Sequence, residues 1–295
     1  MIMKKIFVIG SINTDLVIHA PYMPQRGETL TGDGFFTARG GKGANQAVAA
    51  ARLGGDVVMC ACVGDDSFGK DAVASLKAEG IDVSHVRIIE NAPSGTAVIV
   101  VVDGDNRIIL DRGANALMTE KDVDGVLKTA QKGDVMLVQL ENPVEVIGYA
   151  LKRGREKGMY VVLNPAPANE GIAPYLENCD LVIPNETEAE ILGGRKELAA
   201  RVKNLIVTVG GDGFEYYRDG QPEKYPCIPV KAVDTTAAGD TFCGGLCMRL
   251  AAGDDLITAA KFGGAAASLA CTRKGAQPSI PTARETEQFL REKGI

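Results

Sequence analysis

The feature that most constrains the fold is an alternation of short apolar, β-rich runs with helical patterns. The runs fall at 6–9, 57–63, 135–140, 160–163, 181–183 and 205–209. Helical patterns follow at about 43–54, 67–80, 143–157 and 186–193, and helices dominate the end at about 240–252, 255–271 and 283–293. This is the βαβ signature of a parallel sheet covered by helices on both faces, hence an α/β fold.

Two stretches break the alternation. In 12–39 the apolar triplet 16–18 precedes a second extended run at 29–37, and in 96–112 the runs 97–102 and 107–110 flank Asp103-Gly104-Asp105-Asn106. Asp-Gly between two β-branched runs is a strong hairpin signal. The two stretches are expected to form a small second sheet. It would either cover a site at the strand ends, where open α/β sheets bind ligands, or decorate an edge.

At 295 residues the chain can bury one large core, so a single domain is expected over 1–295, with lid segments at about 12–39 and 96–112. A net charge of −6 argues against nucleic acid or an anionic membrane as the main partner. No apolar run approaches the length of a membrane span. The N-terminal run is short and ends at Gly10-Ser11, so it reads as a first buried strand rather than a signal peptide, which implies a cytoplasmic protein. Seven cysteines without a CxxC pair read as buried reduced thiols, with Cys60 and Cys62 on one face of a strand and Cys243 and Cys247 one helical turn apart. Only two histidines occur, which excludes metal sites built from several imidazoles and disfavours a Ser-His-Asp hydrolase.

The common nucleotide signatures GxxxxGK[ST] and GxGxxG are both missing, as is the histidine-containing loop of protein kinases. Three clusters remain. In Asp234-Thr235-Thr236-Ala237-Ala238-Gly239-Asp240 the last residue stands where a helix should begin, and the amides of Ala238, Gly239 and Asp240 would point outward as an anion site. A carboxylate there can take the proton of an attacking hydroxyl in phosphoryl transfer, or it can simply cap the helix. Gly40-Gly41-Lys42-Gly43-Ala44-Asn45 lets backbone amides and one cation approach a polar ligand, although taken alone it reads better as a structural turn. Asn185 and Glu188 follow an apolar strand one helical turn apart, suited either to hydrated magnesium or to N-capping. Asn13 and Asp15 face one way in extended chain, suited to adjacent sugar hydroxyls or to a turn.

Taken in this order, the clusters closely resemble the ribokinase branch of the ribokinase/phosphofructokinase-B family of sugar kinases, and the likeness spans the whole chain. Residues 40–45 and 234–242 look like its two signatures, 185–190 like its magnesium-associated motif, and 272–279 like a segment typical of that branch. The resemblance implies a Rossmann-like αβα sandwich with a β lid that also joins two subunits. It implies that Asn13, Asp15, Gly41, Lys42, Asn45 and Glu141 hold the sugar. Asp240 would be the base, with Ala237, Ala238 and Gly239 completing an anion hole. Asn185, Thr208, Gly210, Gly213 and Gly239 would bind ATP, with magnesium held through water by Glu188. Asp234, Thr236, Ala270, Arg273, Gly275 and Ser279 would hold potassium. One departure is Gly263-Gly264, where some family members place a side chain against adenine.

The implied reaction is phosphorylation of D-ribose at its 5-hydroxyl by ATP. The rivals are a kinase for deoxyribose, fructose or a nucleoside, a sugar-sensing protein without catalysis, and a dinucleotide oxidoreductase. The polar pairs Asn13/Asp15 and Lys42/Asn45 suit a bare sugar better than a nucleoside. The intact Asp240 segment speaks against a sensor, and the missing glycine fingerprint speaks against an oxidoreductase.

Overall fold

The computed structural model describes residues 3–218 and 220–295; Met1, Ile2 and Asp219, including the start of the N-terminal run, lie outside the described residues. The strands are β1 (Lys5–Ile9), β2 (Asn13–His19), β3 (Asp33–Gly40), β4 (Asp56–Gly64), β5 (Asp82–Ile89), β6 (Gly95–Val102), β7 (Asp105–Asp111), β8 (Val135–Val138), β9 (Tyr160–Leu163), β10 (Leu181–Val182), β11 (Leu205–Thr208), β12 (Phe214–Arg218) and β13 (Gln221–Tyr225). The α-helices are α1 (Lys42–Arg52), α2 (Ser67–Ala78), α3 (Glu120–Leu127), α4 (Val144–Glu156), α5 (Glu186–Ile191), α6 (Arg195–Arg201), α7 (Ala238–Ala252), α8 (Leu256–Ala270) and α9 (Ala283–Glu292).

Nine strands form the main sheet in the order β13-β12-β11-β10-β9-β8-β1-β4-β5. It is parallel except at one edge, where β12 and β13 run antiparallel. In the central β1, Ile6 and Val8 enter one core layer and Phe7 and Ile9 the other. That two-sided burial is why these strands read as continuous apolar runs. Cys60 and Cys62 share one layer, Cys243 and Cys247 the other, and all seven thiols are free.

One layer packs α1, α7 and α8 on the sheet through small residues. A side chain at Gly244 would lie 2.6 Å from Ala49 Cβ and 2.7 Å from the Gln46 carbonyl. One at Gly245 would lie 3.1 Å from Gly263 Cα. These contacts let α1 and α7 approach closely, and the approach brings the first turn of α1 to the first turn of α7.

The two irregular stretches form a four-stranded sheet in the order β3-β2-β6-β7. Between β6 and β7, Asp103 and Gly104 both take positive φ, 53° and 84°, as a tight two-residue hairpin requires. The extended run expected at 29–37 instead occupies Asp33–Gly40, because β3 takes its register from β2, whose last paired residue, His19, lies opposite Asp33. Five elements lay outside the sequence reading. β5 and β13 are the edge strands and β12 is the neighbour of one, all three mix polar with apolar residues, and α3 and α6 are short. Among the described residues no helix is long and apolar enough to cross a membrane.

Candidate active site

Helix α7 begins two residues earlier than expected. Ala237 adopts a left-handed turn, φ 60°, and starts the helix at Ala238, so Asp240 is its third residue and not its cap. The Ala238 amide is not free either, because the tight turn directs it to the Thr235 carbonyl at 3.1 Å. Among the described residues no acceptor faces the Gly239 and Asp240 amides. Helix α1 starts at Lys42, so Asn45 lies inside its first turn.

The Asp240 carboxylate is buried and held on both oxygens. Asn45 Nδ2 donates to Oδ2 at 3.0 Å and Gln46 Nε2 to Oδ1 at 2.9 Å. Lys42 lies among carboxylates. Burial alone would lower its ammonium, but Asp240, Glu141 and Glu188 hold it above its ordinary value.

Glu141, in the loop between β8 and α4, gathers the residues that the resemblance assigned to the sugar. It accepts from the Ser11 hydroxyl, from the Lys42 amide at 3.0 Å and from Asn13 Nδ2 at 3.4 Å. Asn115 fixes Asn13 from the other side, donating to its Oδ1 at 2.8 Å and bonding both backbone groups of Ile12. Asp15 shares the Asn13 face of β2. Burial, with the Glu141 charge added, raises its carboxyl to about 6. Gly41 has φ 88° and lies so close to β2 that a Cβ would approach the Asn13 amide to 2.6 Å, so only glycine fits.

A separate cavity of about 1320 Å³ opens beside the α7 N-terminus. Asn185, Thr208, Gly210, Gly213, Ala238 and Gly239 all line it. Asn185 forms a bridge with Thr208, the end of β11. Its apolar wall comes from Phe242, the last residue of the second signature, and from residues the motifs did not indicate, including Phe214, Tyr225, Ile228 and Phe262. The adjacent glycines divide. Gly264 lines the cavity, where a Cβ would meet only the Phe242 ring at 4.0 Å, while a Cβ at Gly263 would lie 2.6 Å from the Phe242 carbonyl.

Asn185 and Glu188 form a reciprocal capping box on α5, at 2.8 Å in each direction. Glu188 Oε2 is thereby engaged and Oε1 is left as an oxygen donor; burial raises this carboxyl above its ordinary value, against Asn185 and Lys42. Asp234 ties two distant segments. It accepts from the Thr236 amide and hydroxyl at 2.9 and 2.6 Å and from the Gly275 amide at 2.8 Å. Although burial opposes them, these bonds hold its carboxyl below the ordinary range. The Ala270 carbonyl accepts the Arg273 amide, the Arg273 side chain pairs with Glu285 at 2.7 Å rather than with Asp234, and the buried Ser279 hydroxyl donates to Ala276.

The motifs missed Ser11, Gln46, Asn115, Gln139 and Asn164, which hold the indicated residues in place. Their available signal was weak: a glutamine in an alanine helix and another ending an apolar run.

The pfkB family carbohydrate kinase model matches residues 3–283. Ribokinase of Haemophilus influenzae is 41% identical over 301 residues, covering 97% of this chain and 98% of the relative. The crystal structure of ribokinase from Thermotoga maritima superposes with a TM-score of 0.87 at 34% identity, over 98% of this chain and 99% of that one. Arabidopsis thaliana ribokinase complexed with ribose and ATP gives 0.86 at 29% identity, over 98% and 99%.

Proposed function

The chain belongs to the pfkB family of carbohydrate kinases, and we propose that it transfers the γ-phosphoryl group of ATP to the 5-hydroxyl of D-ribose with Asp240 as general base. One observation carries this reading. The first turn of α7 belongs to both halves of the site. Asp240 bonds Asn45 and Gln46 of α1, the helix that opens with Lys42, while Ala238 and Gly239 line the large cavity.

In this mechanism Asn13 and Asp15 receive the sugar hydroxyls, and Glu141 keeps Asn13 oriented. Asp240 accepts the proton of the 5-hydroxyl as that oxygen forms its bond to the γ-phosphorus and the bond to ADP breaks. The ammonium of Lys42 and the amides of Gly239 and Asp240 stabilise the charge that develops. The proton leaves Asp240 to solvent once sugar phosphate and ADP depart.

Glu188 suits magnesium held through water, since its free Oε1 is a hard oxygen donor beside Asn185 and Thr187, which line the cavity. Magnesium bound with ATP would neutralise phosphate charge. The oxygen-rich set of Asp234, Thr236, Ser279 and the carbonyls of Ala270, Arg273 and Gly275 suits potassium.

The outer face of the small sheet supports a homodimer. Leu16, Val98 and Ile109 form a cross-strand row on the face opposite Asp15, and Val98, Ile109 and the nearby Phe35 are exposed. Sedimentation at micromolar protein should give a dimer, and a clean monomer would remove the lid contact from the reading. The reading places the enzyme in the cytoplasm.

The test is ADP release over a panel of pentoses, hexoses and nucleosides. D-ribose should give the highest kcat/KM. A clear preference for 2-deoxyribose, fructose or a nucleoside would replace the substrate and leave the family intact.

A further inference from the structure

We propose that Gln46 is a positioning residue that fixes the Asp240 carboxylate in its working orientation, an inference that rests on Asp240 being the base. Gln46 is fully buried, one helical turn past Lys42. Its Nε2 spends both protons, one on Asp240 Oδ1 and one on Asn164 Oδ1, each at 2.9 Å. Its Oε1 accepts from Gln139 Nε2 at 2.6 Å.

The polarity of this chain of amides is set by one backbone group. Asn164 Nδ2 donates to the Ile183 carbonyl at 2.8 Å, and a carbonyl can only accept. Asn164 must therefore turn its oxygen to Gln46. Gln46 must answer with its nitrogen, which leaves its oxygen for Gln139 and its second proton for Asp240. A flip at any amide would set oxygen against oxygen in a buried space, which costs the desolvation of both groups. Strand ends of the main sheet thus dictate that Asp240 faces a donor.

Asn45 holds the other carboxylate oxygen at 3.0 Å, so each oxygen has one amide donor and keeps a lone pair for the sugar hydroxyl. A carboxylate fixed at both oxygens cannot swing away from the proton it must take, and small misplacements of a reacting group are costly. Gln46 touches neither sugar nor phosphate in this arrangement and acts only through Asp240. A merely structural Gln46 would tie α1 to α7 and β8 without affecting turnover.

The experiment compares Gln46→Leu, Gln46→Glu, Asn164→Ala and Asp240→Asn with the unaltered enzyme. Gln46→Leu is expected to lower kcat by about 10–10²-fold while the KM values for ribose and ATP stay within about threefold. Gln46→Glu sets a second carboxylate against Asp240 and should move the acid limb of the kcat–pH profile upward by about one unit or more. Lys42, Glu188 and Cys243 are the other ionisable groups facing Asp240, and all three are retained in both variants. Should Gln46→Leu fail to fold, Asn164→Ala removes the anchor alone and should lower kcat about 3–10-fold with KM held. Folded variants with kcat within about twofold of the unaltered enzyme, or with KM rising as much as kcat falls, overturn the proposal. If Asp240→Asn loses turnover and the Gln46 variants do not, only the Gln46 assignment fails. If Asp240→Asn keeps turnover, the base itself is wrong and the proposal falls with it.

Discussion

The two halves of the site are built on opposite principles. The side proposed for the sugar is a closed lattice of polar groups: Glu141 collects Ser11, Asn13 and Lys42, and Asn115 locks Asn13. The side proposed for the nucleotide is a roomy cavity walled by Phe214, Tyr225, Phe242 and Phe262. A lattice discriminates by hydrogen bonds, where one missing partner leaves a buried group unsatisfied. A cavity discriminates by shape, where a misfit is absorbed by room to shift. Substitutions on the sugar side should therefore act sharply and separately from those on the nucleotide side, and the α7 N-terminus should be the one place where the halves fail together.

The largest effect is expected at that shared point. Asp240→Asn should keep sugar and nucleotide binding by calorimetry yet lower kcat by about 10²–10⁴-fold, the usual cost of losing a general base. Turnover within a few-fold of the unaltered enzyme would show that the halves do not meet at this carboxylate.

Next comes the lattice. Asp15→Ala should raise the ribose KM by about 10–10²-fold, the worth of a hydrogen bond to a charged group, and leave the ATP KM unchanged. The raised carboxyl of Asp15, about 6, adds a pH signature. Below that value the acid is protonated and the charge-assisted contact is lost, so the ribose KM should climb as pH falls through about 6. Above it the KM should level off, and Asp15→Ala should abolish the dependence. Equal movement of both KM values would erase the contrast between the halves.

The cavity is tested by neighbouring glycines. Gly264→Leu puts a side chain into the cavity wall beside the Phe242 ring and should raise the ATP KM about fivefold, with the ribose KM unmoved. Gly263→Ala drives a methyl against the Phe242 carbonyl and should cost about 1–3 kcal/mol of stability, read as a fall in Tm. Reversed outcomes would place α8 differently against the cavity.

The smallest effect concerns the strut beneath the anion site. Turnover in potassium should exceed that in sodium at equal ionic strength by about fivefold, the low end of an effector's coupling. Asp234→Ala should reduce this response more than it reduces Tm. Indifference to the ion would leave Asp234 as the hydrogen-bonded tie it already makes between Thr236 and Gly275.

Much of the architecture is written locally. Runs such as 6–9 are apolar on both faces because both faces are covered, and Asp103-Gly104 specifies its hairpin through two positive φ angles. The glycine-rich segments are legible for the same reason, since Gly41 is required by the close approach to β2. Asn185 and Gly239 were legible in motifs, Thr208, Gly210 and Gly213 only through the resemblance, and all five line one cavity. Its aromatic wall was not, because Phe214, Tyr225 and Phe262 come from elements with ordinary patterns and become a wall only when β12, β13 and α8 converge.

The sequence by itself determined the α/β class, the second sheet and the choice of Lys42, Asp240 and Asn185 as candidate site residues, because backbone periodicity and glycine conformation act between near neighbours. Only the tertiary structure decided that Asp240 lies inside the first turn of α7, that its amide partners are Asn45 and Gln46, and that Asn164 and one carbonyl of Ile183 orient them. Those bonds span up to 195 positions of chain. A hydrogen bond between buried side chains depends on where two elements cross, and nothing in the local sequence of either element records the crossing.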